Sequence, residues 1–186
     1  AAGAVLRYVY DTQFSSVEYI TRIQPYNTSE YMVIDSATMR NLELLESMRD
    51  KDRKGTLLWV LDKTKTAMGS RFMRKLISQP LLSKEQITER QDAIKEFNDR
   101  FIDREELTEY LRPVYDLERL LSRFSSGRAN PLDALSFKQS ISMLPAIKQL
   151  LGTFESELLK KIYNSMDELS DIFEMLESAI DEDAPV

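Results

Sequence analysis

Along most of the chain after Asp35, apolar residues recur at the three- and four-residue spacing of amphipathic helices. Segment 66–79 is typical, because its apolar side chains share one helical face and Pro80 then ends the helix. The residues of that face are Met68, Phe72, Met73, Leu76 and Ile77. Residues 1–14 show the same spacing. The pattern therefore predicts a mainly α protein, built as a multi-helix bundle.

Start and stop residues divide this bundle into separate helices. Side chains suited to the N-cap position precede the apolar runs, and Pro or Gly follows several of them. The predicted helices are 36–41 after Asp35, 57–62, 66–79, 83–98 with a Ser83–Gln86 capping box, a helix starting near Asp103 and closed by Pro113, 117–124 after Asp116, and 131–151. The last of these contains Pro145, which removes one backbone hydrogen bond and predicts a kink.

One region near the N-terminus departs from the helical pattern. Val17, Tyr19, Thr21 and Ile23 alternate with polar residues, and Gln24-Pro25-Tyr26-Asn27 is typical of a turn. A short apolar run, Tyr31-Met32-Val33-Ile34, follows the turn. We therefore predict a short two-stranded antiparallel β element within residues 17–34.

The C-terminal helical stretch has a heptad rhythm with steps of three and four residues. Its apolar seam consists of Leu159, Ile162, Met166, Leu169, Phe173, Leu176 and Ile180. Two interpretations remain open. The seam either packs on the core of this same domain, or it forms an exposed surface on which another protein segment docks.

Composition and charge exclude several classes of function. The chain has 186 residues with no cysteine and no histidine, so disulfides, zinc–thiolate sites, thiol catalysis and histidine general bases are excluded. No apolar run approaches the roughly 18 residues that cross a bilayer. The formal net charge is −6, which argues against tight nucleic-acid binding by these residues alone.

The most suggestive catalytic motif is Asp62-Lys63-Thr64-Lys65-Thr66. It resembles the phosphorylation signature of P-type ATPases, but Lys65 stands where the tight phosphate loop needs glycine. Helices are predicted on both sides instead of the buried parallel strand that this chemistry requires. No glycine-rich phosphate loop occurs either. We interpret the motif as a helix end and predict no catalytic, cofactor-binding or metal-binding residue.

The remaining polar candidates have structural interpretations. Glu105 and Glu106 suit a helix start, Ser70 has no evident base, and Arg128 lies in a predicted turn. The charged run 49–55 is typical of a solvated connector. Trp59, inside the apolar cluster 57–61, is predicted to be core rather than a stacking platform for bases.

Three blocks of sequence together carry a family resemblance. They are Asp35-Ser36-Ala37-Thr38 with Arg40-Asn41-Leu42-Glu43-Leu44; Gly55 to Asp62 with Thr64, Thr66 to Arg71 and Gln79-Pro80-Leu81; and Tyr115 to Arg123 with Gly127 to Pro131. In this order they resemble the MutS family of DNA mismatch-repair proteins. The resemblance implies that residues 1–27 end the connector domain and that residues 28–186 form the first half of the core, or lever, domain. It also implies a helix break near 167–170, so that the last stretch is two helices.

The resemblance implies a mechanical role for this segment. In the full-length family, ATP and Mg²⁺ bind a downstream ATPase domain, and mismatched DNA, a second MutS subunit and MutL are the partners. The mismatch-reading motif and the ATPase motifs do not occur here, and both ends are interpreted as cuts through a longer protein. We expect a lever segment that couples the ATPase to the DNA clamp, binds DNA weakly or not at all by itself, has no membrane partner and is cytoplasmic. The alternative is an independent helical protein–protein interaction module that uses the seam 159–180.

Overall fold

The helices form where a capping residue precedes an apolar periodic run. The computed structural model describes residues 2–12 and 30–181, which contain eleven α-helices. They are α1 (Ala2–Thr12), α2 (Ser36–Asn41), α3 (Leu57–Leu61), α4 (Ala67–Ser78), α5 (Lys84–Asp99), α6 (Phe101–Leu111), α7 (Leu117–Ser125), α8 (Pro131–Ile141), α9 (Leu144–Leu151), α10 (Glu157–Ser165) and α11 (Ser170–Ala179). The predicted mainly α fold is confirmed.

Local capping explains most helix starts. The side chains of Asp35, Ser83 and Asp116 each accept a hydrogen bond from the backbone N–H three residues later, as predicted. Asn130 and Asp133 form a reciprocal capping box around Pro131, which occupies the first turn of α8. These helix starts are therefore set by residues within a single turn of each other.

Two apolar cores hold the helices together. The first core is formed by α5, α6, α9 and α10, and the second by α7, α8 and α11. The buried residues of the first core are Ala93, Ile147, Leu150, Leu151, Phe154 and Leu159, and those of the second are Leu120, Phe137 and Ile141. In the first core the Phe97 and Phe154 rings are tilted to each other with their centroids 4.8 Å apart, and in the second the Phe124 and Phe137 rings meet edge to face with centroids 5.6 Å apart.

The C-terminal seam belongs to these cores. Leu159 is buried in the first core and Met166 packs against it, whereas Leu169, Phe173 and Leu176 pack against the second. Among the seam residues, Ile162 is the most exposed, at 39%. The seam therefore has an internal partner, which favours the interpretation that it packs on the core of this domain.

The predicted β element is not found in the described residues. Residues 17–29, which hold its first strand and its turn, lie outside them. Tyr31 forms a single antiparallel bridge with Leu81, supported by a 2.8 Å hydrogen bond from Met32 N–H to the Pro80 carbonyl. Val33 is 84% exposed, so the run 31–34 lacks the covered face that stabilises a strand. The bridge joins this run to the α4–α5 connection.

The long predicted helix 131–151 is two helices, not one kinked helix. Pro145 lies in the first turn of α9 rather than inside a continuous helix. Because proline has no N–H, it cannot bond to the carbonyl four residues earlier, and the chain turns at Ser142 and Met143. Proline in the first turn of a helix removes only a donor that would lack a partner there.

The heptad pattern predicts one continuous helix, whereas the family resemblance implies a break, and the break is observed. Residues 166–169 separate α10 from α11.

The helix predicted to start near Asp103 begins earlier, at Phe101, because Arg100 both ends α5 and precedes α6. Asp103 pairs with Arg100 at 2.7 Å instead of capping.

Several apolar residues lie exposed beside a buried neighbour. Trp59 is 48% exposed and Leu121 51%, while their neighbours Leu58 and Leu120 are buried. Ile94 is 60% exposed beside buried Ala93. The prediction that Trp59 is core is therefore wrong, because α3 buries Leu58 and leaves Trp59 on its outer side.

A candidate hinge between the two cores

Three chain connections run between the first and second cores: the α6–α7 connection at 112–116 and two short helix breaks. The α8–α9 break leads from the second core to the first, and the α10–α11 break leads back from the first core to the second. A chain that crosses between two packed units at short non-helical segments can change its angle there without unfolding either unit. These two breaks together form the candidate hinge.

The α8–α9 break follows a tightly anchored helix end. Ile141 is 1% exposed, and Ser140 is fully buried. The Ser140 hydroxyl donates to the Ser136 carbonyl at 2.7 Å and accepts from the Tyr115 N–H at 2.9 Å. Leu144, although it begins α9, packs against the second core. The turn at 142–143 is thus fixed firmly on the α8 side.

The α10–α11 break contains a residue in an uncommon conformation. Leu169 has φ 54° and ψ 37°, in the left-handed region, which costs an L-residue roughly 1–2 kcal/mol. The Asp167 carboxylate accepts a hydrogen bond from the Leu169 N–H at 3.0 Å, and the Leu169 side chain packs on the second core. These contacts offset the backbone cost and fix the direction in which α11 leaves the break.

A cavity of about 270 Å³ lies where the two breaks meet. Its walls come from both breaks and from the first turns of α11: Ile141, Ser142, Pro145, Glu168, Ser170, Phe173 and Glu174. The breaks are therefore neighbours in space. Because this pocket is open to solvent, fewer packing contacts resist a small rotation of one core against the other at this point.

Ion pairs hold the two sides of the candidate hinge in place. Lys148 of α9 contacts Glu168 of the α10–α11 break at 3.2 Å. Lys138 of α8 contacts Glu177 of α11 at 2.8 Å within the second core. The Lys148–Glu168 pair joins α9 of the first core to the α10–α11 break, and both of its side chains are partly exposed.

Charged residues fix each core beyond the breaks. In the first core, the Glu96 carboxylate accepts hydrogen bonds from the N–H groups of Glu155 and Ser156, at 2.6 and 2.8 Å, ahead of α10. Burial would raise the pKa of Glu96, but these backbone donors outweigh it and lower the pKa. Arg100 lies over the Phe154 ring at 4.1 Å and donates to the Thr153 carbonyl at 2.6 Å.

A second charged cluster joins α4 to the start of α7. Both terminal nitrogens of Arg71 donate to Asp116, each at 2.7 Å, and Arg71 Nε donates to Glu118 at 3.0 Å. The Arg71 hydrogen bonds lower the pKa of Asp116 despite burial. Because Asp116 is also the N-cap residue of α7, this cluster couples the position of α4 to the N-terminal end of α7.

Asp62, the aspartate of the ATPase-like motif, is enclosed by donors. Its Oδ1 accepts from the Thr64 N–H and hydroxyl, and its Oδ2 accepts from the Ser70 hydroxyl and from Arg53. Burial would raise the pKa of Asp62, but the hydrogen bonds outweigh it and hold the pKa well below its usual range. The carboxylate is committed to holding the chain around α3 and α4, in agreement with the helix-end interpretation.

The other polar candidates lie apart from the candidate hinge. Gly127 has φ 65° and the Arg128 N–H bonds to the Arg123 carbonyl, so Arg128 is in a turn, as predicted. Glu105 and Glu106 lie inside α6, and Glu106 accepts a hydrogen bond from the Tyr110 hydroxyl.

Over residues 2–12 and 30–181, no group of three or more acidic side chains is arranged to hold a metal ion. Within the same ranges, no helix is long and apolar enough to cross a membrane.

Sequence reasoning located the breaks but missed the contacts around them. Pro145 and the implied break near 167–170 pointed to both positions. The Lys148–Glu168 and Arg71–Asp116 pairs join residues far apart in the chain, and no local pattern indicates them. In the Arg71–Asp116 contact, only the cap residue Asp116 had a recognisable signal in the sequence.

Comparison with known proteins identifies the family. The family model described as MutS domain III matches residues 37–186. The DNA mismatch repair protein MutS of Lachnoclostridium phytofermentans is 53% identical over the whole chain, which covers 20% of that protein. The MutS proteins of Acetivibrio thermocellus and Clostridium beijerinckii are 47% and 46% identical, over 100% and 98% of this chain and 21% and 20% of their own lengths.

The chain thus spans about a fifth of the length of these relatives. The domain III match accounts for the helical region that contains both cores and the candidate hinge. Because the family model matches most of the chain, the chain belongs to the MutS family, and residues 37–186 belong to its domain III region.

Proposed function

We propose that this segment is a lever that transmits conformational change between the ATPase and the DNA clamp of a MutS protein. The observation that carries the proposal is the pair of adjacent helix breaks, which are two of the three chain connections between the two cores. Coupling between distant sites needs stiff elements with a small number of discrete arrangements. Two packed cores provide the stiffness, and the paired breaks provide a place where the arrangement can change.

The rest of the proposal concerns the whole protein. Residues 1–27 would end the connector domain and residues 28–186 would form the first half of the core domain. The full-length protein would bind ATP with Mg²⁺, mismatched duplex DNA, a second MutS subunit and MutL, in the bacterial cytoplasm. The segment itself would contribute no catalytic residue and would bind DNA weakly or not at all.

The experiment changes the ion pair between α9 and the α10–α11 break. In the full-length protein, Glu168→Lys would replace the attraction to Lys148 with repulsion between two positive charges, and the double variant Lys148→Glu with Glu168→Lys would restore an ion pair in reversed order. We expect the single variant to change how strongly ATP alters the affinity for mismatched DNA. The double variant should return most of the lost coupling.

Controls separate coupling from general damage. Lys161 and Glu89 form a 2.8 Å pair between α10 and α5, within the first core, and serve as the matched pair for the same charge reversals. ATP hydrolysis without DNA should stay near the unaltered rate in all variants. Equal ATP-dependent affinity changes in Glu168→Lys and in the unaltered protein would contradict the proposal.

A further inference from the structure

The α10–α11 break interrupts an apolar stripe that continues through it. The seam residues on its two sides, from Leu159 to Ile180, keep alternating steps of three and four residues without a change of phase. Neither glycine nor proline occurs between Gly152 and Pro185. The residues of the break, Met166-Asp167-Glu168-Leu169, include three strong helix formers. The local sequence therefore suits one helix over residues 157–179, although the structure has two helices there.

The two breaks of the candidate hinge have different causes. Pro145, the second residue of α9, has no N–H to donate to the Ile141 carbonyl, so α8 and α9 cannot form one regular helix. The second residue of α11 is Asp171, which has an N–H to donate. The α8–α9 break is therefore permanent, whereas the α10–α11 break depends on contacts that can change.

Side-chain contacts hold the α10–α11 break in its observed form. Leu169 has the left-handed backbone conformation, which is unfavourable for a residue with a Cβ, and the Asp167 carboxylate accepts from its N–H at 3.0 Å. Glu168 pairs with Lys148 of α9 at 3.2 Å. Both contacts are open to solvent, and polar contacts of this kind contribute little stability.

A continuous helix would exchange these contacts for others. Leu169 would regain ordinary helical dihedral angles and donate its N–H to the Ser165 carbonyl. Against this, Asp167 and Asp171 would stand four residues apart on one helix, where like charges repel weakly. Small effects of opposite sign therefore separate the two arrangements, as a two-state element requires.

The two cores can keep their own packing in both arrangements. Helix α10 packs on α5 and α9 in the first core, and α11 packs on α8 in the second. The Lys161–Glu89 pair lies within the first core and the Lys138–Glu177 pair within the second, so neither pair has to break. Straightening the α10–α11 connection would therefore turn one core against the other, beside the open pocket of about 270 Å³.

We propose that the α10–α11 break is a reversible switch, in which residues 166–169 become helical and join α10 and α11 into one helix over residues 157–179. The broken form is the arrangement in this structure. The joined helix is the second discrete arrangement that a lever needs. The inference rests on the proposed lever function for its role, but helix joining is measured separately from DNA binding.

Hydrogen exchange in the full-length protein tests the joining directly. In a joined helix the N–H groups of residues 167–172 all donate to carbonyls four residues earlier, whereas those in the first turn of α11 now lack such partners. We expect ATP with Mg²⁺, added to the protein on mismatched DNA, to slow exchange in this segment at least tenfold. The α8–α9 break at 142–145 is the internal control and should gain no protection, because Pro145 prevents joining there.

Two variants move the switch in opposite directions. Asp171→Pro gives α11 a proline at the position that Pro145 has in α9, so it is compatible with the broken form and blocks the joined helix. It should abolish the ATP-dependent protection and leave the unfolding midpoint close to that of the unaltered protein. Asp167→Ala removes the carboxylate that holds the break and adds a better helix former, so it should slow exchange even without ATP.

The outcomes separate this switch from the lever proposal. Loss of the ATP-dependent protection in Asp171→Pro, together with added protection in Asp167→Ala, would support the switch. Exchange at 167–172 that is unchanged both by ATP and by Asp167→Ala would overturn it, and the lever would then have to turn without joining the helices. If Asp171→Pro lost the protection but kept the full ATP-dependent change in DNA affinity, the switch would stand and the lever function would fail.

Discussion

Arg71 and Asp116 lie 45 residues apart in the sequence, and two parallel hydrogen bonds of 2.7 Å join their side chains. This planar arrangement is the strongest geometry available to an arginine and a carboxylate. The contact connects α4 to the N-cap residue of α7. These two helices precede and follow α5 and α6 in the sequence, so the ion pair holds together helices that are not neighbours along the chain.

Removing this ion pair should destabilise the protein in a salt-dependent way. We expect Arg71→Ala and Asp116→Asn each to lower the urea midpoint, with a double-mutant cycle showing coupling that weakens as salt rises. The matched control is Arg7→Ala, which breaks the exposed single contact of Arg7 with Asp11 at 3.2 Å. A shift for Arg71→Ala no larger than for Arg7→Ala would mean that the bidentate geometry adds no stability.

Asp62 should make the protein sensitive to acid. Its pKa in the folded state lies below the ordinary value of 3.8, so the stabilisation is complete above about pH 4 and is lost as the pH falls further. Asp62→Asn should lower stability at neutral pH and should also reduce the decline in stability below about pH 4. Urea unfolding at a series of pH values measures both effects.

The control for this prediction is Asp50→Asn, which changes an exposed carboxylate in the loop before α3. Because Glu96 and Asp116 also have lowered pKa values, Asp62→Asn should remove only part of the acid sensitivity. The prediction fails if Asp62→Asn and the unaltered protein lose stability in parallel as the pH falls.

Phe154 should be among the most sensitive positions of the first core. It is 1% exposed, packs on Phe97 and lies beneath Arg100. We expect Phe154→Ala to lower the free energy of unfolding by about 3–5 kcal/mol, since it removes a large buried ring and leaves a cavity. Phe72→Ala, at a position 55% exposed, is the control and should cost much less. Chemical denaturation followed by circular dichroism would reveal the difference.

Gly127 should resist substitution because of its backbone conformation. Its φ of 65° lies in the left-handed region, where a Cβ costs roughly 1–2 kcal/mol, although no heavy atom would contact that Cβ. Gly127→Ala should therefore reduce stability by about 1 kcal/mol, and Gly127→Asn by less, because asparagine tolerates this region. Equal losses for the two variants in thermal unfolding would argue against a backbone cause.

Two positions of the C-terminal seam distinguish a core from an exposed docking surface. Leu159 is 4% exposed, whereas Ile162 is 39% exposed. Leu159→Ala should cost about 2–5 kcal/mol, as expected for a buried leucine, and Ile162→Ala should cost far less. Sedimentation velocity completes the test: if Ile162→Ala dissociated an oligomer, the seam would be an interaction surface after all.

The sequence located the helices and the breaks because these depend on neighbouring residues. Asp35, Asp116 and Asn130 each accept from a backbone N–H three residues away, so their capping role is visible in a few letters. Pro145 lacks the donor that a continuous helix needs, so a disruption there was also predictable. The family resemblance supplied the second break, which the apolar periodicity alone did not indicate.

Tertiary structure decided which side of each helix is buried and which charges meet. Leu120 and Leu121 are equally apolar, but only Leu120 faces the second core; Leu58 is buried while Trp59 is exposed. The Lys148–Glu168 contact at the breaks likewise depends on how α9 lies against α10. Sequence periodicity fixes the spacing of a helical stripe, whereas the rotation of each helix about its axis is set by packing against residues far along the chain.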